Sequence, residues 1–450
     1  MVHGVIGRLV DGAADIFRRF LPDPLIYALA LTALTFGLAW LAGPMAPSSE
    51  PFALGLAGAW AAGLFKILEF ALQMALVLVA GHALAGAPLV RRGLAVVAEL
   101  PKGPGQAAAL VSALSLCACY LNWGFGLVTA GILAREVGRR VPAASFSVLV
   151  AAAYSGFVVW ASGLSSSIAL ISATPGSAMN FYEKATGHTA PLRETLFAPF
   201  NLIPTLALAI LLPVVFAWLA RRVPPAGRVA LSEPVAAKPP PTPTPAERVA
   251  RSPGWTLIPL VLGALALIAR LRSNTLQPDV NTVILLLLLL GLALHGRPLA
   301  YLAAWSEGVR SLGPLLLQYP LYGGILGLLT ASTLIERLSN AAVRLSTAQT
   351  FPLFTFLSSN VVSFFVPSGG GHWAVQGPVM LPAAARLGVS PAVTAMAVAL
   401  GGQTANMLQP FWALPLLAIV GLGPRDVLGY CLLTFMLSIA LYGGALLWLT

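Results

Sequence analysis

Two glycine-punctuated stretches interrupt apolar sequence in this chain. They are Asn122-Trp123-Gly124-Phe125-Gly126 and Pro367-Ser368-Gly369-Gly370-Gly371-His372. Glycine lets backbone N–H groups approach a ligand with no Cβ in the way. A helix that starts just after each break turns its free N–H groups and positive dipole end toward the tip. That arrangement holds an anion without arginine. The sequence around both tips carries no Asp or Glu, and Arg135 and Arg386 stand at the ends of the flanking arms. Asn122, Trp123, Gly124 and Gly126 at the first tip, with Ser368, Gly369, Gly370, Gly371 and His372 at the second, are the candidate ligand-binding residues.

Two further stretches read as interrupted helices. One runs Trp160-Ala161-Ser162-Gly163-Leu164-Ser165-Ser166-Ser167; the other is Gly401-Gly402-Gln403-Thr404-Ala405-Asn406, followed by Gln409-Pro410. Amides and hydroxyls clustered in apolar sequence are costly unless they find partners or water. Ser165, Gln403 and Asn406 are expected to complete a pocket for a small polar ligand. Asn122, Ser162, Gly401 and Thr404 are candidate oxygen donors for Na⁺. His372 adjoins the second tip and suits three roles: a carboxylate contact, a proton carrier or a structural hydrogen bond. Ser368 and His372 are four apart, but no orienting acid accompanies them, so the residues do not read as a catalytic set. No resident cofactor is expected. Cys117, Cys119 and Cys431 all lie in apolar runs and read as packing residues.

The elements that must position these residues are membrane helices. Of the 450 residues 58% are hydrophobic and only 9% charged, against about 25% charged in soluble chains. The apolar runs 25–43, 65–88, 196–220, 255–271, 281–294 and 427–449 approach or exceed what crosses a hydrocarbon layer of about 30 Å. The net charge of +11 then reports topology, since no basic helix with interleaved aromatics suggests nucleic acid as a partner. The first run is longer than a signal-peptide core and lacks a clear cleavage site, so it reads as a retained helix.

Positions repeat at an offset of 245. Ala59-Trp60 match Ala304-Trp305, Gly63 matches Gly308, Gln73 matches Gln318, and Gly124 and Gly126 match Gly369 and Gly371. The expected architecture is an all-α polytopic membrane protein of two repeats, residues 1–222 and 255–450, joined by a Pro-rich cytoplasmic linker at 223–254. Each repeat carries a re-entrant hairpin, at 106–134 and 350–386, followed by a broken helix. With the N-terminus in the cytoplasm, the loops holding Arg91, Arg92, Lys102, Arg135, Arg139 and Arg140 fall inside, as does the linker. Segment 255–271 adds one crossing, which inverts the second repeat. Two hairpins entering from opposite faces bring their tips together at mid-depth, the arrangement of a secondary transporter.

Several motifs resemble the bacterial short-chain fatty acid transporters. They include Leu21-Pro22-Asp23-Pro24-Leu25-Ile26, Gly81-His82-Ala83-Leu84, the first tip, Ala134-Arg135-Glu136-Val137, Ala173-Thr174-Pro175-Gly176, the second tip through Trp373 with Gln376-Gly377-Pro378, and the run Gln409–Pro415. The resemblance runs from about Leu21 to the C-terminus and spares only the linker. It implies uptake of short monocarboxylates such as acetoacetate or butyrate across the bacterial inner membrane, coupled to Na⁺ or H⁺. A more distant similarity to the ion transporter superfamily implies a homodimer and an elevator-like motion. The carboxylate would rest on the tips, and its apolar tail on residues such as Trp123, Trp373 and Phe411. A dicarboxylate transporter or an organic-anion exporter of the same fold is the alternative.

Overall fold

The computed structural model describes residues 24–44, 51–225, 245–250, 252–273 and 275–450. Most of the proline-rich linker, together with Leu21–Asp23 of the first motif, lies outside them. The first half builds α1 (Pro24–Ala42), α2 (Phe52–Lys66), α3 (Leu68–Ala85), α4 (Pro88–Val97), α5 (Pro104–Leu121), α6 (Trp123–Arg140), α7 (Phe146–Ser155), α8 (Ser167–Ala173), α9 (Phe181–Thr186) and α10 (Pro199–Ala220). After the short α11 (Pro245–Ala250) and α12 (Gly254–Arg272) come α13 (Val280–His295), α14 (Pro298–Val309), α15 (Gly313–Ala331), α16 (Leu334–Leu345), α17 (Phe351–Phe365), α18 (Gly369–Leu387), α19 (Pro391–Ala405), α20 (Pro410–Val420) and α21 (Leu428–Trp448). Among the described residues seven helical stretches are long and apolar enough to cross a membrane. Large apolar side chains such as Leu41, Ile210 and Trp448 stand exposed on them, as expected where lipid is the solvent.

Proline starts many of these helices, where its missing N–H costs nothing; Pro88, Pro104, Pro199, Pro298 and Pro391 are examples. The apolar run expected from residue 65 begins earlier. Phe52–Ala85 is continuous helix apart from a bend at Ile67 (φ −113°, ψ 14°). α2 crosses α15 where Gly63 meets Gly323 and Gly324, and Gly327 meets Ala59, with no room for a Cβ on either side. Small residues allow such close backbone approach in membranes.

Each expected hairpin is a helix pair. A single extended residue, Asn122, separates α5 from α6. Val366–Ser368 separate α17 from α18. The arms of the first pair pack along each other, whereas α17 packs mainly on α19. The break expected at 160–167 is present, whereas the one expected at 401–406 falls later, because α19 runs helical through Ala405. α7 runs into a 3-10 turn (Gly156–Val159) before α8, and α19 into another (Asn406–Leu408) before α20. The latches between arm and broken helix also match. Ser115 donates to the Ala153 carbonyl and Ser359 to the Val398 carbonyl. Gly156 makes room for Ser115, and Gly401 for Ser359.

Candidate functional site

The first tip is an N-cap. Asn122 Oδ1 accepts the Phe125 N–H at 2.8 Å, satisfying one of the orphan donors of α6. The Trp123 N–H donates to Ser165 Oγ (3.0 Å), and the Leu164 N–H to the Tyr120 carbonyl (2.7 Å). These bonds fasten the tip to the 160–166 break. Its glycines serve close packing: a Cβ on Gly124 would meet the backbone of Leu78 on α3, and one on Gly126 the backbone of Cys119 on the opposite arm.

The second tip repeats the design with serine. Ser368 Oγ accepts the Gly371 N–H (3.4 Å) and donates to Tyr319 Oη (3.1 Å). Gly370 lies on the Phe70 ring of α3 and Gly371 on the Tyr322 ring of α15. Gly369 faces Ser167 Oγ and Trp160. Gly369 and Gly370 open α18, so their N–H groups have no intrahelical acceptor.

Two small cavities meet at Trp160, Ser368 and Gly369. The first, of about 20 Å³, is completed by Met74, Trp123, Phe157, Ser167, Tyr319 and Trp412. The second, of about 10 Å³, is bounded by Ile168, Ser363, His372, Gly402 and Asn406 among others. Each is close to the size of one water. Among the described residues neither wall contains Asp, Glu, Lys or Arg. The first is an aromatic box: Trp123 and Trp412 meet edge-on at 5.4 Å, and Phe157 stacks on Trp160 at 5.8 Å. Two indole N–H groups are tied, Trp160 to Asn406 Oδ1 (2.9 Å) and Trp412 to the Pro367 carbonyl (2.6 Å). Ser167 Oγ and Trp123 Nε1 are buried with no hydrogen-bond partner among the described residues. Buried polar atoms are seldom left so, and here both residues line the same box.

The remaining expected residues have structural partners. Gln403 Oε1 accepts the N–H groups of Ala161 (2.8 Å) and Ser162 (3.0 Å), while its Nε2 donates to Ser162 Oγ (2.8 Å). Ser162 Oγ also meets Tyr442 Oη at 2.9 Å. Asn406 Nδ2 donates to Gln409 Oε1 (2.9 Å). The His372 Nε2 lies 2.6 Å from Gln376 Oε1 and 3.1 Å from Ser359 Oγ, so this ring is held structurally while it also walls the second cavity. Gly401 seats Ser359. Thr404 Oγ1 is buried without a partner. Among the described residues no hydrogen bond joins any two of Asn122, Ser162, Gly401 and Thr404.

The sequence reading did not select Ser167, although it flagged the serine run, and it did not select Met74, Phe157, Tyr319 or Trp412. Their elements, α3, α15, α20 and a 3-10 turn, are brought to the tips only by the tertiary fold. Trp373, expected near the tail, instead donates to the Met179 carbonyl and packs on Phe181. Phe411 packs against the back of Trp412.

A polytopic helical membrane protein whose helix tips close on an uncharged pocket has the build of a small-molecule carrier. The chain belongs to the short-chain fatty acid transporter family: the family model described as "Short chain fatty acid transporter" matches residues 5–449. It is 39% identical over 441 residues to an Escherichia coli (strain K12) protein named "Putative short-chain fatty acid transporter", covering 96% of this chain and 98% of that one. A Haemophilus influenzae protein of the same name is 37% identical over 449 residues, covering 97% and 98%. In fold the chain is similar to the YdaH transporter of Alcanivorax borkumensis, with a TM-score of 0.60 and 16% identity over 94% of this chain and 98% of that one.

Proposed function

We propose that this chain is a secondary active carrier that takes up short monocarboxylates, such as acetoacetate or butyrate, across the bacterial inner membrane. One observation carries the reading. The unpartnered Ser167 hydroxyl stands against Gly369, at the N-terminus of α18, inside an aromatic box. A carboxylate there would accept from Ser167 Oγ and from the first N–H groups of α18, with Trp123 Nε1 as a further donor. Its short tail would lie among Met74, Phe157 and Trp412 once the tips part, since the closed cavity of about 20 Å³ admits only a water-sized group.

The matched order of elements, the paired serine latches and the Trp160–Asn406 bond support two repeats. The distribution of positive charge supports a cytoplasmic N-terminus and linker, an orientation in which the second repeat is inverted. In this reading α3 and α15 form a fixed wall, and both helix pairs move past it as one body, with two chains forming a dimer around the fixed parts. Na⁺ is the coupling ion: among the described residues no carboxyl lines either cavity, and His372 in the second is held by Gln376 and Ser359. A dicarboxylate fits less well, since among the described residues no Arg or Lys lines either cavity to hold a second anionic end.

Uptake of radiolabelled butyrate and acetoacetate into proteoliposomes tests this directly, with Na⁺ and pH gradients imposed separately. Accumulation driven by the Na⁺ gradient and unaffected by excess succinate is expected. No accumulation under either gradient would remove the substrate assignment.

A further inference from the structure

A separate cleft of about 430 Å³ opens where α15 ends, between α16 and the last turns of α18. Arg386 and Glu336 line it from opposite helices, with Ser339 and Asn340 between them and Leu329 and Ile335 as apolar wall. The cleft uses none of the residues of the tip pocket, so what it binds is independent of the transport reading.

Three features bear on its ligand. First, the two charges do not neutralise each other. No ion pair joins Arg386 to Glu336 among the described residues, and the Arg386 guanidinium donates instead to Asn340 Oδ1. A positive and a negative pole are therefore both presented to the cleft. Second, the Ser339 side chain is only 2% exposed, and its hydroxyl has no hydrogen-bond partner among the described residues. A buried hydroxyl is unfavourable in that condition unless an entering group bonds to it. Third, the cleft belongs at headgroup depth. α15 is a membrane-length helix that ends beside it. α16 turns Leu334, Ser339 and Ala342 inward while leaving Leu338 and Leu345 exposed among charged residues. A helix of that pattern lies in the bilayer surface.

We infer that this cleft binds an ethanolamine phosphate zwitterion, the headgroup of an aminophospholipid. The phosphate meets the Arg386 guanidinium, the Asn340 amide N–H and the Ser339 hydroxyl; the ammonium donates to the Glu336 carboxylate. Arginine suits phosphate by geometry as well as charge. The site also joins parts that differ in anchorage. The start of α16 is pinned to the end of α1, where Thr333 Oγ1 and Arg337 Nη2 (2.8 Å) donate to the Ala42 carbonyl. α18 is an arm of the second tip. A bound headgroup therefore bridges a pinned helix to that arm.

The test uses the full chain in nanodiscs holding equal fractions of phosphatidylethanolamine, phosphatidylcholine and phosphatidylglycerol, with retained lipid counted by native mass spectrometry. The wild type is expected to retain phosphatidylethanolamine about tenfold over the other two, because only it offers both the phosphate and ammonium N–H donors. Arg386→Gln and Glu336→Gln should each abolish that preference, and Arg386→Lys should restore part of it. Among the described residues Glu336 makes no ion pair, so E336Q carries the test even where R386Q fails to fold. Free phosphoethanolamine separates the sources: displacement of the retained lipid assigns the soluble headgroup as a ligand, and no displacement assigns the lipid. Equal retention of the three lipids by the wild type, or a preference unchanged in E336Q, overturns the inference.

Discussion

At the scale of single residues, glycines of one sequence type do different work. Gly369 borders the cavity, and a methyl there would come within 2.5 Å of the Trp160 ring and press on Ser167 Oγ. Gly126 borders only the opposite arm, where a methyl would lie 2.6 Å from the Cys119 backbone nitrogen. Gly369→Ala should therefore cut uptake at least tenfold while leaving a folded protein. Gly126→Ala should lower stability by about 2 kcal/mol, since backbone cannot rotate aside as a side chain can; thermal unfolding in detergent distinguishes the two. Ser167→Ala makes a sharper case. Deleting a buried hydroxyl without a partner costs no hydrogen bond, so stability should hold or rise by up to about 1 kcal/mol. The concentration for half-maximal uptake should nevertheless rise about tenfold, the cost of one charge-assisted bond. A fall in stability without a change in uptake would make Ser167 a packing residue. The sequence marks both tips by their glycines, but it cannot tell which glycine faces a ring, a backbone or a pocket. That depends on what α3 and α15 bring alongside.

At the scale of elements, the break between α7 and α8 is held by side chains from the other half, Gln403 making the most bonds beside Asn406 and Tyr442. Gln403 satisfies the N–H groups of Ala161 and Ser162 and donates to Ser162 Oγ. Gln403→Ala strands these groups and should cost about 3 kcal/mol, at roughly 1–3 kcal/mol for each unsatisfied buried group. The midpoint of thermal unfolding should fall accordingly, and Gln403→Glu should recover only part of it, because its carboxylate cannot donate to Ser162. Helices made of unbroken apolar runs, such as α1, α10, α12 and α21, are legible in sequence within a few residues. α2 is less so, because its glycines and alanines dilute the hydropathy and Lys66 closes it. α4 and α16 escape for a different reason: they are short, and their apolar residues recur at helical spacing among charges, a signal that a search for long apolar runs passes over. The tips and breaks are legible because polar residues in apolar sequence are expensive. Their partners are not, since Trp160 and Asn406 or Ser162 and Tyr442 are joined only by the fold.

At the scale of the molecule, the starts of α5 and α17, α6 and α18, and α7 and α19 lie 247, 246 and 245 residues apart, within two of the offset visible in the sequence. The two helix pairs are packed differently, with α5 close to α6 and α17 leaning on α19. The absence of any fixed charge from the cavity walls has an electrical consequence. A carrier whose pocket holds one carboxylate and one Na⁺ crosses the bilayer with no net charge, whereas each uncompensated charge would do about 2.3 kcal/mol of work against every 100 mV. Initial uptake under a valinomycin-set potassium potential should therefore be the same at either polarity. A rate that follows the imposed voltage would mean that cations outnumber acids on each trip.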